Sequence, residues 1–187
     1  MKQSYAGIDR AKLLREVSTL SSKEYGRIRL LCAVGPLDAG ALENLIVEVV
    51  TGRWNLALSF SRFAQKLPLE EEDNLRNIIS RNYYACYQAA RALVFLVTRS
   101  DVDDHAKLPV RFRDCLEGKD KEKADLLDKW RDIRNEVEYS PFPRIDDLTE
   151  AAKESASETE DFLSLCETYL RKRGVQLGNH KAQDNSP

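Results

Sequence analysis

Apolar residues recur every three or four positions along most of the chain, and no convincing alternation of apolar and polar residues indicates a strand. This period predicts amphipathic helices that each turn one apolar face toward a core. The predicted helices carry their apolar positions in these stretches: Leu13 to Leu20, Ile28 to Cys32, Ala41 to Leu67, Ile79 to Val97, Leu108 to Leu116, Leu126 to Val137 and Leu148 to Leu170. The pattern therefore predicts an all-α fold.

Capping and helix-breaking residues predict where these helices begin and end. The sequence Ser21–Glu24 has the pattern of a capping box, which starts a helix. Pro68 breaks the pattern, and the acidic run at 70–73 favours a new helix N-terminus through the helix dipole. Pro141 stops the helix before it. Gly52 lies inside the stretch from Ala41 to Leu67, where it predicts a kink or a split.

The order of the helices predicts how the 187 residues are organised, and this length suits one domain of ordinary size. We expect an up-and-down bundle of four or five helices over residues 51–173. Residues 1–50 are interpreted as an N-terminal helical extension of that bundle. The polar segment 174–187 is predicted to be a disordered tail.

Composition narrows the range of functions. The chain is 42% hydrophobic and 32% charged with a formal net charge of −2, so any phosphate binding must come from a local cluster rather than from overall charge. No apolar run is long enough to span a membrane, and residues 1–6 lack the apolar core of a signal peptide. The cysteines are too widely spaced in the sequence for a zinc-ligand pair. We therefore expect a cytoplasmic protein with reduced thiols and with no metal or cofactor.

The predicted helix that ends before Pro141 carries the candidate chemistry, Arg134-Asn135 followed by Tyr139. An arginine suits a phosphate because its planar fork is always charged. Asn135 can orient the arginine or donate to a phosphate oxygen. An ordinary pKa of about 10 makes a tyrosine a poor base at neutral pH. The hydroxyl of Tyr139 can still donate to a phosphate, and its ring can stack on a base.

These residues also have purely structural interpretations. Arg134 has Glu138 one helical turn ahead, a spacing typical of surface ion pairs. Tyr139 can instead pack on the proline-containing turn at 141–143, with its hydroxyl on a backbone group. His105 can simply close the loop before the short helix.

Three segments share a pattern with one family. Residues 81–93 read Arg-Asn-Tyr-Tyr-Ala-Cys-Tyr-Gln-Ala-Ala-Arg-Ala-Leu, the pair Asp104-His105 precedes a short helix, and Arg131–Tyr139 holds the Arg-Asn pair. In this order they resemble the second-helix signature, the loop histidine and the Arg…His motif helix of HEPN domains (higher eukaryotes and prokaryotes nucleotide-binding). The resemblance is to the subgroup with tyrosine in place of the motif histidine, and it covers roughly residues 52–173.

The resemblance implies a bundle of four or five helices that forms symmetric homodimers, with the two motif helices lining a shared cleft. Active members of the family are metal-independent endoribonucleases, many of them toxins or antiviral components, and a common partner is a small nucleotidyltransferase. The resemblance implies catalytic roles for Arg134, Asn135, Tyr139 and His105, and RNA or nucleotide contacts for Arg131, Arg134, Asn135, Arg81 and Tyr84.

Two functions follow from these expectations. The first is a weak or degenerate metal-independent endoribonuclease of a toxin–antitoxin or defence system. The second is a non-catalytic HEPN module that binds RNA, a nucleotide or a partner protein such as a nucleotidyltransferase. A further alternative to both is a dimeric scaffold whose motif is only a structural relic. The tyrosine at position 139 counts against the first, because a well-placed general acid or base is worth about 10²–10⁴-fold in rate.

Overall fold

The computed structural model describes residues 9–35, 38–145 and 147–178. Within these ranges the fold is all-α and contains no strand, as predicted. Its helices are α1 (Arg10–Ser18), α2 (Ser22–Val34), α3 (Ala39–Gln65), α4 (Glu72–Thr98), α5 (Leu108–Asp114), a 3₁₀ helix (Gly118–Ala124), α6 (Asp125–Tyr139) and α7 (Leu148–Lys172).

Side-chain caps fix several helix starts, because the first N–H groups of a helix have no partner within it. The predicted capping box forms, since the Ser21 hydroxyl accepts from the Glu24 N–H at 3.3 Å and the Glu24 carboxylate accepts from the Ser21 N–H at 2.8 Å. Asp147 accepts from the Glu150 N–H at 3.0 Å and begins α7. The capping box predicted at Ser21–Glu24 is thus confirmed.

The predicted split at Gly52 is wrong, because α3 runs through this glycine without a break. A single glycine costs a helix only about 1 kcal/mol. The flanking residues Val49, Val50, Arg53 and Trp54 all bury their side chains on the bundle, which offsets this cost. The boundary placed at 50/51 therefore falls inside a helix that the extension and the bundle share.

Helix α4 is the centre of the bundle and packs against α3, α6 and α7. Its interior positions are almost wholly buried, including Ile79, Tyr83, Leu93 and Phe95. Around them lie the buried aromatic side chains of the other helices: Trp54, Phe112, Trp130 and Phe162. Burying such side chains is the main favourable contribution to folding. This core sets the positions of α4 and α6 relative to each other.

Both ends of the described chain are attached to the bundle. At the N-terminal side, α1 packs against α3, and the Tyr25 hydroxyl of α2 donates to the Glu43 carboxylate of α3 at 2.5 Å. At the C-terminal side, Val175 and Leu177 are buried, and Arg171 donates to the Leu177 carbonyl at 3.0 Å. Residues 174–178 therefore lie against the core rather than beginning a disordered tail. Residues 179–187 of the predicted tail lie outside the described residues.

The cysteines are free thiols, and three of them, Cys86, Cys115 and Cys166, are buried. Burial raises the pKa of the Cys86 thiol to about 12 and that of Cys115 to about 11. Across the described ranges no His, Cys, Asp and Glu side chains group closely enough to hold a metal ion. In the same ranges no helix combines the length and the apolar character needed to cross a bilayer.

Candidate functional site

Arg134 lies on the face of α6 that meets α4, and its side chain is 13% exposed. Its guanidinium donates to the Asn135 side-chain oxygen at 2.9 Å and to the Tyr84 hydroxyl of α4, and it forms an ion pair with Glu138 at 2.7 Å. The ion pair expected from the four-residue spacing is thus confirmed. The Arg134 Nε is buried and has no partner among the described residues, so one donor of the fork is unused.

Three tyrosine rings surround the Arg134 guanidinium. The ring centroids of Tyr84, Tyr139 and Tyr83 lie 5.0, 5.4 and 6.0 Å from its central carbon. Such contacts are favourable because the ring faces are electron-rich. Tyr139 is 72% exposed, so it is not packed away against the turn that follows α6. Its ring lies between the arginine and solvent, where an incoming base could stack on it.

Glu138 occupies the side of Arg134 where an anion would bind. The Ser80 hydroxyl of α4 donates to one carboxylate oxygen of Glu138, and the other oxygen pairs with Arg134. The serine and the arginine hold the carboxylate from both sides. Glu138 therefore neutralises Arg134 in this structure, and a phosphate must displace it to reach the guanidinium.

His105 lies beside the same tyrosines, in the loop between α4 and α5. Its Nδ1 and the Tyr83 hydroxyl are hydrogen-bonded at 2.5 Å, and its ring stacks on Tyr87 at 4.0 Å between centroids. Burial lowers the pKa of His105 below its ordinary value, and the positive charge of Arg134 lowers it further. Burial also raises the pKa of Tyr83 above the ordinary tyrosine value. At neutral pH both side chains are uncharged, which suits His105 to accept a proton.

The lowered pKa of His105 predicts how stability depends on pH. The unfolded chain binds a proton near the ordinary value of 6.5, but the folded chain binds it only at lower pH. The stabilising contribution is therefore complete above pH 6.5 and is lost as the pH falls through the lower folded pKa. We expect urea unfolding to show a decline in this window that His105→Gln flattens. His180→Gln, which removes the other histidine, should retain the decline; equal slopes for both variants would contradict the prediction.

Arg131 points toward the same loop but is already neutralised. Its guanidinium pairs with Asp128 at 2.8 Å and Asp132 at 3.1 Å, and it donates to the His105 carbonyl at 3.4 Å. Two carboxylates on one guanidinium leave little net charge for a phosphate. In this geometry Arg131 orients the His105 loop rather than presenting a free cation.

Arg81 lies apart from Arg134, one helical turn before Tyr84 on α4. Its guanidinium carbon is 5.6 Å from the ring centroid of Phe60 and 5.5 Å from that of Phe63, both on α3. Across the described ranges no carboxylate forms an ion pair with Arg81. Arg81 therefore keeps its charge uncompensated next to two aromatic rings.

A buried network that was not anticipated positions the loop that carries His105. The Asp101 carboxylate accepts from Arg91 of α4 at 2.9 and 2.5 Å and from Arg53 of α3 at 2.8 Å. Arg53 also donates to the Ser18 carbonyl of α1 at 2.7 Å, and the Asp101 N–H donates to the Leu20 carbonyl at 2.9 Å. The network joins the N-terminal extension, the central helix and the loop at one point.

Arg76 is a second residue near the site that the sequence analysis did not single out. It donates to the carbonyls of Val137 at 2.6 Å and Ser140 at 3.1 Å, which lie at the C-terminal end of α6. A cation at this end complements the helix dipole. It fixes the end of α6 where Tyr139 emerges. No local pattern signals this contact, because Arg76 lies 61 residues from Val137.

The fold thus brings most of the predicted site residues into one cluster. We call the Arg134 cluster the group formed by Arg134, Asn135, Glu138, Tyr139, Tyr83, Tyr84 and His105. Arg131 borders the cluster at the His105 loop, and Arg81 extends it toward α3. A cation, aromatic rings and a neutral imidazole side by side can bind a phosphate and a base together. No protein-family model, curated protein or solved structure matches the chain.

Proposed function

We propose that this protein is a HEPN-like module that binds RNA or nucleotides through the Arg134 cluster. The observation that carries the proposal is the placement of the Arg134 guanidinium among three tyrosine rings, one of them largely exposed. Arg134 and these rings come from the two segments that resemble HEPN signatures. An arginine for the phosphate and a ring for the base are the two contacts that a nucleotide needs.

The geometry favours binding over cleavage. The position that the resemblance assigns to the motif histidine holds Tyr139. A tyrosine is protonated at neutral pH, so it donates to a phosphate but does not remove a proton from a ribose. The cluster therefore has the groups that hold a ligand; as bases it offers His105 and the Glu138 carboxylate, which Arg134 and Ser80 already hold.

His105 supports a second candidate, a metal-independent endoribonuclease. Its pKa is lowered and its Nδ1 is held by Tyr83, so the ring is fixed and unprotonated at neutral pH. In this reaction the imidazole takes the proton of a ribose 2′-hydroxyl, and the 2′-oxygen attacks the adjacent phosphorus. The 5′-oxygen leaves with a proton from an acid such as the Tyr139 hydroxyl, while Arg134 stabilises the charged phosphorane.

The localisation, the oligomeric state and the partner are proposed from the resemblance alone. We propose that the protein acts in the cytoplasm as a homodimer in which two α6 helices line a shared cleft. A nucleotidyltransferase antitoxin is the partner that the resemblance suggests. The exposed positions of Tyr139 and Asn135 on α6 agree with an open cleft on this face.

The decisive experiment compares wild type with Arg134→Gln and His105→Gln in two assays. Fluorescence anisotropy titrations with single-stranded RNA measure binding, and incubation with total RNA and tRNA in EDTA measures cleavage. We expect wild type to bind RNA and Arg134→Gln to bind about tenfold more weakly, since one charge-assisted contact is lost. Arg29→Gln, on the exposed face of α2, is the charge-matched control and should bind like wild type.

The outcomes separate the two candidates. Binding without cleavage at any protein concentration assigns a binding module. Cleavage by wild type that disappears in both Arg134→Gln and His105→Gln assigns a ribonuclease in which His105 is the base. Absence of both binding and cleavage, or equal behaviour of wild type and Arg134→Gln, overturns the proposed function.

A further inference from the structure

A continuous surface of alternating rings and guanidinium groups extends from the Arg134 cluster across α4 to α3. Arg81 lies over the rings of Phe60 and Phe63, and the centroids of Phe60 and Tyr84 are 5.7 Å apart. Tyr84 in turn is the ring nearest to Arg134. We call this surface the aromatic–arginine stripe; in spatial order it consists of Phe63, Arg81, Phe60, Tyr84, Arg134 and Tyr139.

The two arginines of the stripe differ in charge compensation. Arg134 is paired with Glu138, whereas Arg81 has no carboxylate partner in the part of the chain that the structure describes. A guanidinium that is not neutralised attracts an anion over the distances set by salt screening. The uncompensated charge of the stripe therefore lies at Arg81, away from the Arg134 cluster.

Large aromatic side chains are exposed at both ends of the stripe. Phe63 is 49% exposed on α3, and Tyr139 is 72% exposed at the end of α6. The two helices both pack on α4 and make little contact with each other. Five successive contacts of 5.0–5.7 Å lead from Phe63 to Tyr139, so a ligand that follows the stripe from one ring to the other is longer than a single nucleotide.

We propose that the aromatic–arginine stripe is a binding track for single-stranded RNA of several nucleotides. One base stacks on Phe63 and another on Tyr139, and Arg81 pairs with a backbone phosphate between them. This inference rests on the proposed function and deepens it by naming the ligand class. Cations that alternate with open rings suit a single strand, because the bases of a duplex are stacked on each other and closed to protein rings.

The test measures affinity for an oligoadenylate RNA of about twelve nucleotides, for the same length of duplex RNA and for AMP. Wild type is compared with Phe63→Leu, Arg81→Gln and Arg134→Gln by competition against a labelled single strand. Phe63→Leu keeps an apolar side chain of similar size at an exposed position, so the fold is retained and only the ring is lost. Leu30→Ala on the exposed face of α2 controls for the loss of surface apolar area.

Phe63→Leu and Arg81→Gln should each weaken oligoadenylate binding by about fivefold, and Phe63→Leu should leave AMP binding unchanged. Arg81→Gln should also reduce the slope of log affinity against log salt by about 0.7, the value for one phosphate contact on a single strand. Arg134→Gln should weaken the binding of both oligoadenylate and AMP. Duplex RNA should compete less well than the single strand.

The ways in which the experiment can fail are distinct. If Arg134→Gln weakens binding but Phe63→Leu and Arg81→Gln do not, the proposed function stands and the track is wrong. If AMP or duplex RNA binds as tightly as oligoadenylate, the track is also wrong. If Arg134→Gln changes nothing, the proposed function itself fails.

A second variant reports base stacking directly. Phe63→Trp places an indole on the exposed surface of α3, where a stacked base quenches its fluorescence. The native tryptophans, Trp54 and Trp130, are buried, so they contribute a constant background. Quenching by oligoadenylate but not by AMP supports the track, and equal fluorescence with and without RNA overturns it.

Discussion

Asp101→Ala is expected to lower the free energy of unfolding by about 3–5 kcal/mol, because it leaves charged groups buried without their partner. The Asp101 side chain is 11% exposed, and it pairs with Arg53 and Arg91, which are 10% and 19% exposed. Burial disfavours the charged form and is the largest influence on the pKa of Arg53, which is lowered. Without the carboxylate, both guanidinium groups face each other with no compensating charge.

The measurement is urea denaturation followed by circular dichroism, and the loop itself provides a control. Asp103 is two residues further on and its side chain is exposed. The Tyr87 hydroxyl donates to the backbone carbonyl of Asp103 at 2.8 Å, a bond that an alanine at position 103 would keep. Asp103→Ala should change stability by less than about 0.5 kcal/mol. The loss of stability in Asp101→Asn should lie between those of the two alanine variants, because the asparagine keeps hydrogen bonds but lacks the charge. Similar losses in the two alanine variants would show that the network contributes little.

Glu138→Gln is expected to raise the affinity for RNA by about tenfold, which corresponds to one freed charge-assisted contact of about 1.4 kcal/mol. In the native chain the Glu138 carboxylate pairs with Arg134 at 2.7 Å and competes with any phosphate for it. The glutamine retains the shape and can still accept from Ser80. It removes the negative charge, so the guanidinium becomes available.

A double-mutant cycle makes this prediction specific. In an Arg134→Gln background, Glu138→Gln should give little or no gain, since the cation that it frees is absent. Glu160→Gln changes the net charge equally at an exposed position on α7 and serves as the matched control. A gain of the same size from Glu160→Gln, or a gain that persists without Arg134, would reduce the effect to overall charge.

Local patterns in the sequence predict the helices well. The three-to-four residue period and the Ser21 and Asp147 caps depend on neighbours within one turn, and the structure has helices at these places. Gly52 is the instructive failure, because a glycine is a weak local signal and buried neighbours outweigh it. The burial of Val175 and Leu177 was missed for a similar reason, since two apolar residues in a polar segment form no period.

In the candidate site, too, contacts within one helical turn are predictable from the sequence and contacts across the fold are not. The pair of Arg134 with Glu138 follows from a four-residue spacing and was predicted. Contacts across the fold have no such signal: Tyr84 lies 50 residues from Arg134, and Asp101 lies 48 residues from Arg53. The family resemblance implied that Tyr84 and Arg134 each contact RNA or a nucleotide, but it did not imply the bond between them. No pattern in the sequence indicates the contacts of Asp101, because a charged residue is ordinary in a loop and its two arginine partners lie on different helices.

The unbroken course of α3 has a consequence for how the molecule can be divided. Ile46, Val49 and Val50 lie before the 50/51 boundary, yet they are buried in the same core as Trp54 after it. Helix formation is cooperative, so we expect the two halves of α3 to form and melt together. The N-terminal extension is therefore not an appendage that a bundle could gain or lose whole. A protein without residues 1–50 would need other apolar side chains to replace this part of the core.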